Sequence, residues 1–379
     1  MKKIALLGST GSIGRQVIDC ALRYPDKYKI VSLAAGSNAS LLAKQIDLIK
    51  PRVATLSDPK NASKIMSLPP STTLYTGEKA TLHAIVEEAD LVFVAIMGFA
   101  GLESVLEAIR QKKTVALANK ETLVAGGEIV IRAAKEAGVD ILPVDSEHSA
   151  IWQSLYLKKD TPFEKLIITA SGGAFRDVPI EKMAYLKAED ALKHPNWTMG
   201  KKITIDCATM VNKGLEVIEA KWLFDCPLDR IEVLYHPESI VHSMVEYCDG
   251  AIIAQLGYPS MELPISLAMS YPERLKGAPT LSLAGKTLHF GSIDPIRYPC
   301  FPLVLKSAEM GHNYPCALSA ANEEAVKLYL EDKIAFTEIY DYLSAALDKT
   351  VQSSVTLESL RSTDYAARTA VYQRYNSRH

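Results

Sequence analysis

Short runs of consecutive apolar residues punctuate the first third of the chain: Ile4 to Leu7, Ile30 to Leu33, Val53 to Leu56, Leu91 to Ile96, Val115 to Ala118 and Ile141 to Val144, with helical stretches between them. A strand that is apolar on both faces must be covered on both, and alternation with helices makes its neighbours parallel. The pattern predicts a doubly wound, Rossmann-like α/β domain over residues 1–148. Beyond Ser149 the rhythm changes, with strand-like Leu166 to Thr169, Ile203 to Ile205, Ile231 to Leu234 and Ala251 to Leu256 spaced by longer loops. These predict a second, catalytic α/β domain over 149–271. Prolines at 272, 279, 295, 299 and 302 then erase helical periodicity, so 272–295 is read as a linker. Cys316 to Leu330 and Thr337 to Leu347 return to helical spacing, the second with Ile339, Leu343, Ala346 and Leu347 on one face and Thr337 as the expected N-cap. A small helical domain is therefore expected over 296–379.

At 379 residues the chain has room for two or three domains with substantial cores. Its 42 Lys and Arg against 44 Asp and Glu leave a net charge of -2, which gives no general attraction to nucleic acid or to an anionic membrane. The apolar stretch after Lys2 and Lys3 is too short for a signal-peptide core, and no run approaches the ~20 residues needed to span a bilayer. Six cysteines without a Cys-x-x-Cys pair argue against a zinc site or a disulfide framework. The expected setting is the reducing cytoplasm.

The segment Gly8-Ser-Thr-Gly11-Ser-Ile-Gly14 follows the first strand and opens a helix near Ser12, where backbone amides can hold a pyrophosphate. The second strand ends in Gly36-Ser37-Asn38 without the acid that usually holds a ribose hydroxyl and repels a 2'-phosphate, so NADPH is favoured over NADH. Ala118-Asn119-Lys120-Glu121 ends another strand on the same carboxyl edge. Asp145 and Glu147 are two positions apart and would face one ligand if the chain there is extended. Glu216 follows Asn212 and Lys213, and faces the same site if the intervening turn is helical. Three acids beside a lysine and an asparagine suit a divalent cation next to a phosphorylated substrate. Ser171-Gly172-Gly173 offers a hydroxyl and amides to an anion, and His194-Pro-Asn-Trp197-Thr-Met199-Gly200 has the composition of a lid. Together these residues indicate an NADPH-dependent, metal-assisted enzyme for a small phosphorylated carbonyl compound.

The segments GSTGSIG, ANKE, PVDSEHSAIWQ, ASGGAFR, HPNWTMG, DCATMVNKGLE and HPESIVHSMV resemble, in order, those of the 1-deoxy-D-xylulose 5-phosphate reductoisomerase family, and the likeness extends to Arg297-Tyr-Pro-Cys300 and Asn322. The resemblance implies conversion of 1-deoxy-D-xylulose 5-phosphate to 2-C-methyl-D-erythritol 4-phosphate in non-mevalonate isoprenoid synthesis. It implies Asp145, Glu147 and Glu216 as ligands of Mg2+ or Mn2+. For substrate it implies Ser146, Ser171, Cys207, Asn212 and Lys213, with Lys120, His194 and Trp197 as further contacts. For NADPH it implies Thr10, Gly11, Ser12, Ile13, Gly36, Ser37, Asn38, Asn119, Glu121 and Gly200, with Met199 and Met261 near the nicotinamide. A homodimer is also implied. Two positions depart from the family pattern: Ala174 stands where Pro is common, and Cys207 where Ser is common. The competing readings are an NADP-dependent dehydrogenase of another phosphorylated sugar and a catalytically silent nucleotide-binding regulator.

Overall fold

The computed structural model describes residues 1–155, 162–191 and 199–378. The chain runs β1 (Lys2–Leu7), α1 (Ser12–Arg23), β2 (Tyr28–Ala35), α2 (Ala39–Ile49), β3 (Val53–Leu56), β4 (Thr73–Thr76), β5 (Leu91–Val94), α3 (Ala100–Arg110), β6 (Thr114–Leu117), α4 (Lys120–Ala137) and β7 (Ile141–Pro143). It continues through α5 (Ser146–Leu155), β8 (Phe163–Ala170), α6 (Ala188–Ala191), α7 (Lys201–Thr209), α8 (Val211–Leu223), β9 (Ile231–Tyr235), β10 (Val241–Tyr247), β11 (Ile252–Leu256) and α9 (Glu262–Ser270). The last elements are β12 (Gly291–Ser292), α10 (Cys300–Met310), α11 (Tyr314–Leu330), α12 (Glu338–Lys349) and α13 (Leu357–Arg378).

Two compact units result. The first comprises Met1–Asn119, Val130–Asp145 and Met261–Ala278, the second Lys120–Ile129, Ser146–Ser260 and Pro279–His379. The division departs from the continuous spans read off the sequence. The first turns of α4 count with the second unit, and α9 returns to the first. In α4 the backbone leaves helical geometry at Gly126 (φ -134°, ψ 24°), so its two halves are separate rods joined at a kink.

In the first unit a seven-stranded sheet has the order β4-β3-β2-β1-β5-β6-β7, with every pair parallel. After β1 the chain first builds one side and then crosses to β5, which makes the β1–β5 gap the switch point where ligands of open α/β sheets bind. β1 from Ile4, β3 and β5 are buried at every position, as continuous apolar runs require. β4 was not legible: Thr73-Leu-Tyr-Thr76 is a largely exposed edge strand with no apolar run to mark it.

In the second unit a five-stranded sheet has the order β11-β10-β8-β9-β12, in which only β8 and β9 run parallel. Its strand β10, between β11 and β8, escaped the pattern because His242 and Ser243 are buried in it. Ile203 to Ile205, read as a strand from its β-branched alternation, lies inside α7. Gly200 in an extended conformation opens that helix, and Lys202 pairs with Asp206 one turn on at 2.9 Å, a spacing that only a helix brings together. Thr337 occupies the N-cap of α12 but its side chain makes no capping bond. The C-terminal helices share a core with α7 and α8: Ile205, Val211, Leu215, Val304, Leu318 and Leu343 belong to one buried cluster. Among the described residues, no helix is long and apolar enough to cross a membrane.

Candidate active site

Helix α8 carries the centre of the site. Val211 to Ala220 are all buried, although the stretch includes Asn212, Lys213, Glu216 and Glu219. Charged groups survive such burial only when paired. Gly214 lets the helix sit that deep, because a Cβ there would meet Cβ of Val304 at 2.6 Å. The turn before the helix is strained: Met210 takes the left-handed conformation (φ 61°), which a non-glycine residue adopts at a cost of about 1 kcal/mol. That turn separates α7 from α8 and places Asn212 and Lys213 in the first turn, where unpaired backbone amides favour an anion.

Glu216, 1% exposed, accepts from three side chains. Asn212 donates to Oε1 at 2.5 Å, Lys120 to Oε1 at 2.9 Å, and Lys213 to Oε2. Lys120 also donates to Asn212 Oδ1 at 2.8 Å, and Lys213 to Glu147 Oε1 at 2.8 Å. Asp145, Glu147 and Glu216 each offer a carboxylate oxygen within 4.8 Å of the others. They converge for a different reason from the one read off the sequence. Asp145 follows β7, but Ser146 already begins α5, so Glu147 lies in the first turn of a helix and two-residue alternation does not apply. Ser146 donates to Glu147 Oε2 at 2.5 Å. Three carboxylates against the ammonium groups of Lys120 and Lys213 leave one net negative charge. Carboxylate pairing outweighs desolvation and raises the Lys213 pKa above its ordinary value, so it stays charged.

His148, which no sequence reading singled out, joins α5 to α8: its ring Nε2 donates to the carbonyl of Glu216 at 2.8 Å. Its Nδ1 lies 3.4 Å from Glu219 Oε2. Asp145, His148 and Glu219 form a second group within ligand reach among the described residues.

The Ser171-Gly172-Gly173 turn is held against α7. Gly172 (φ 80°) and Gly173 (φ 70°) are both left-handed, and a Cβ on Gly173 would stand 2.6 Å from Ala208 Cα and Cys207 O. The Ser171 hydroxyl accepts from the Gly173 amide at 3.3 Å. Tyr298 donates to the Gly172 carbonyl at 2.9 Å, and Arg297 to the carbonyls of Phe175 at 3.1 Å and Val178 at 2.8 Å. The Arg297-Tyr-Pro-Cys300 segment thereby fastens this turn. Cys207, half-buried on α7, has its thiol pushed up to about 12 by burial and by the charge of Glu216. In metal-free protein at pH 7.5, iodoacetamide should therefore modify the exposed Cys248 well before Cys207, as read by peptide mass spectrometry. Faster labelling of Cys207 would contradict a protonated thiol.

The sequence-read cofactor residues divide between the units. In the first unit Thr10 to Ile13, Gly36 to Asn38 and Asn119 all follow strands at the carboxyl edge of the parallel sheet. Gly8 is left-handed (φ 93°), and a Cβ on it would collide with the Ala95 carbonyl. One on Gly14 would reach Cα of Ser9 at 2.7 Å. Helix α1 has no acid in its first turn. Asn38 caps α2 by accepting from the Leu41 amide at 3.1 Å, which leaves its amide nitrogen as a donor; Ser37 is exposed. Asn119 donates to the carbonyls of Ile96 and, at 2.9 Å, Gly98, fixing the loop after β5. Met261 caps α9. In the second unit Met199 and Gly200 precede α7, and Glu121 is held by Lys202 at 2.7 Å. His194 and Trp197 lie outside the described residues.

Three comparisons bear on this site. Residues 4–127 match the family described as 1-deoxy-D-xylulose 5-phosphate reductoisomerase, residues 141–224 its C-terminal domain, and residues 256–370 a DXP reductoisomerase C-terminal domain. The 1-deoxy-D-xylulose 5-phosphate reductoisomerase of Agathobacter rectalis is 48% identical, with 92% of this chain and 93% of the relative covered. That of Caldanaerobacter subterraneus is 45% identical over 99% of this chain and 100% of the relative. A crystal structure of DOX-P reductoisomerase with NADPH, fosmidomycin and magnesium superposes with a TM-score of 0.94 at 37% identity, covering 99% and 98% of the two chains. The Zymomonas mobilis enzyme with NADPH gives 0.92 at 39% identity, covering 99% of each.

Proposed function

The chain belongs to the 1-deoxy-D-xylulose 5-phosphate reductoisomerase family, and from that premise we infer that it rearranges and reduces 1-deoxy-D-xylulose 5-phosphate to 2-C-methyl-D-erythritol 4-phosphate, using NADPH and a divalent cation. One observation carries the reading: Asp145, Glu147 and Glu216 converge beside two buried lysines. The donor set fits Mg2+ or Mn2+, which take carboxylate oxygens, and the Lys213 ammonium shows that Glu147 and Glu216 accept a shared positive group. Adding a divalent cation to the net charge of -1 gives +1, a site of the right sign for a phosphorylated substrate.

Asp145, Glu147 and Glu216 would hold the cation. When bound, the cation supplies a Lewis acid for the substrate's ketone, and NADPH supplies a hydride. Asn212 and Lys213 bind the phosphate from the first turn of α8, joined by the Ser171 and Cys207 side chains. Ser146 and Lys120 orient the hydroxyl-bearing end, and Lys120, by donating to Glu216 and Asn212, keeps the acid and the phosphate group in one register. His194 and Trp197 belong to the segment we assign as the lid. Thr10, Gly11, Ser12 and Ile13 hold the pyrophosphate at the start of α1, Gly36, Ser37 and Asn38 the 2'-phosphate, and Asn119, Glu121, Gly200, Met199 and Met261 the nicotinamide half. The donors of Ser37 and Asn38 without a nearby acid predict a preference for NADPH over NADH. Ser37→Asp should cost about 1 kcal/mol in NADPH recognition, a roughly fivefold lower kcat/KM for that cofactor, and leave NADH little changed. Parallel losses with both cofactors would contradict the assignment.

A homodimer fits the exposed edge of the second sheet, where β11 presents Ile252 and Ile253 and, among the described residues, no further strand pairs with it. Sedimentation equilibrium tests this. The setting we propose is the cytoplasm, where the free Cys248 thiol stays reduced. The activity itself is tested by following NADPH oxidation with 1-deoxy-D-xylulose 5-phosphate. Turnover should stop with EDTA and return with Mg2+ or Mn2+; oxidation that persists in EDTA would favour the alternative, a metal-independent dehydrogenase of a phosphorylated sugar.

A further inference from the structure

Glu121 and Lys120 are neighbours in the first turn of α4, and the two side chains do different work. Lys120 reaches Asn212 and Glu216. Glu121 meets Lys202, which bonds Glu121 Oε1 at 2.7 Å and Asp206 Oδ2 at 2.9 Å. Burial alone would push the Glu121 carboxyl up, but the Lys202 ammonium outweighs it and holds the group below the usual carboxylate range. Asp206 is 2% exposed and also accepts from Asn322 of α11 at 2.7 Å. Next to Asn322, Glu323 bonds Arg368 of α13 at 2.7 Å, and Arg368 in turn bonds Glu324 at 2.9 Å and Asp364 at 2.8 Å. Lys202 thus stands where α4, α7 and the C-terminal helices meet. With Arg368 it neutralises a line of acids that are half-buried apart from the buried Asp206, and it touches none of the residues assigned to the cation.

We propose that Lys202 is a positioning residue: by bridging Glu121 to Asp206 it fixes the first turn of α4 on α7, and with it the reach of Lys120 onto Asn212 and Glu216. The geometry supports this over a purely stabilising ion pair. The bridge joins the residue next to Lys120 with the residue next to Cys207, so both ends lie one peptide bond from a side chain of the substrate site. Without Lys202 the carboxylates of Glu121 and Asp206 lose their shared cation, and α4 can relieve the repulsion only by moving its first turn. A bidentate guanidinium can span the same two acids, so arginine should substitute for lysine.

The inference rests on the reductoisomerase reading, and the test separates the two. Wild type, Lys202→Met, Lys202→Arg and Lys202→Met with Asp206→Asn are assayed with 1-deoxy-D-xylulose 5-phosphate, NADPH and Mg2+. The assay temperature is one at which circular dichroism shows each protein fully folded. Loss of a supporting partner of this kind costs about 10- to 100-fold. We expect Lys202→Met to lose about that much kcat, Lys202→Arg to recover most of it, and the double variant to be less impaired than Lys202→Met because one uncompensated acid is gone. A purely structural role would lower the melting temperature and leave kcat of the folded protein at the wild-type value, which would overturn the proposal, as would an arginine variant no better than methionine. If Lys202→Met does not fold, the double variant is compared with wild type and Lys202→Arg by the same criteria. Failure of the wild type to turn over the substrate would instead remove the functional reading.

Discussion

Glu216→Gln should reduce kcat/KM by roughly a hundred- to a few-thousand-fold while leaving the protein folded. The substitution keeps the shape of the side chain but removes the charge on which Lys120, Lys213 and Asn212 all converge. Breaking one partner out of a buried ion pair costs about 3–5 kcal/mol because the remaining charge is left uncompensated, and each ~1.4 kcal/mol is a factor of ten. Here two ammonium groups lose part of their counter-charge, and a proposed cation ligand becomes a neutral amide. Backbone contacts survive, since His148 holds the Glu216 carbonyl rather than its carboxylate. The uncompensated ammonium groups should lower the unfolding temperature, and the variant, assayed where it is still folded, should need more Mg2+ for half-maximal activity. Activity within about twofold of wild type, at unchanged Mg2+ dependence, would remove Glu216 from the site.

Gly173→Ala should destabilise the protein by about 2–4 kcal/mol, a loss seen as a lower urea midpoint. Two costs add. Alanine at φ 70° is disfavoured by about 1 kcal/mol or more, and its Cβ would stand 2.6 Å from backbone atoms of Cys207 and Ala208, which cannot rotate away as a side chain would. The strain falls on α7, so substrate affinity should fall with stability. An unchanged midpoint would mean that the Ser171 turn does not press on α7.

The first unit was legible almost strand by strand because a parallel sheet covered on both faces needs apolar residues at every position, as in Val53 to Leu56 and Leu91 to Val94. What escaped was what tertiary context decides. Thr73 to Thr76 pairs at an exposed edge without an apolar signature, and Ile203 to Ile205 alternates like a strand yet is helical because Lys202 and Asp206 pair across a turn. The site was legible where one helix gathers it, as with Asn212, Lys213 and Glu216 on α8, a face that spacing alone predicts once the turn is helical. Glu147 reached the same place through a helix start that the extended reading did not foresee. His148, Lys202 and Arg368 carried no motif of their own. Their long-range partners Glu216, Glu121 and Glu323 are 68, 81 and 45 positions away in the sequence, and only the fold brings these together.

The central claim is tested most directly by the carbon skeleton of the product. Purified protein with 13C-labelled 1-deoxy-D-xylulose 5-phosphate, NADPH and Mg2+ should give, by NMR, a branched methyl-bearing tetrol phosphate formed mole for mole with NADP+. An unbranched reduced sugar phosphate, or NADPH oxidation with the original carbon chain intact, would contradict a reductoisomerase.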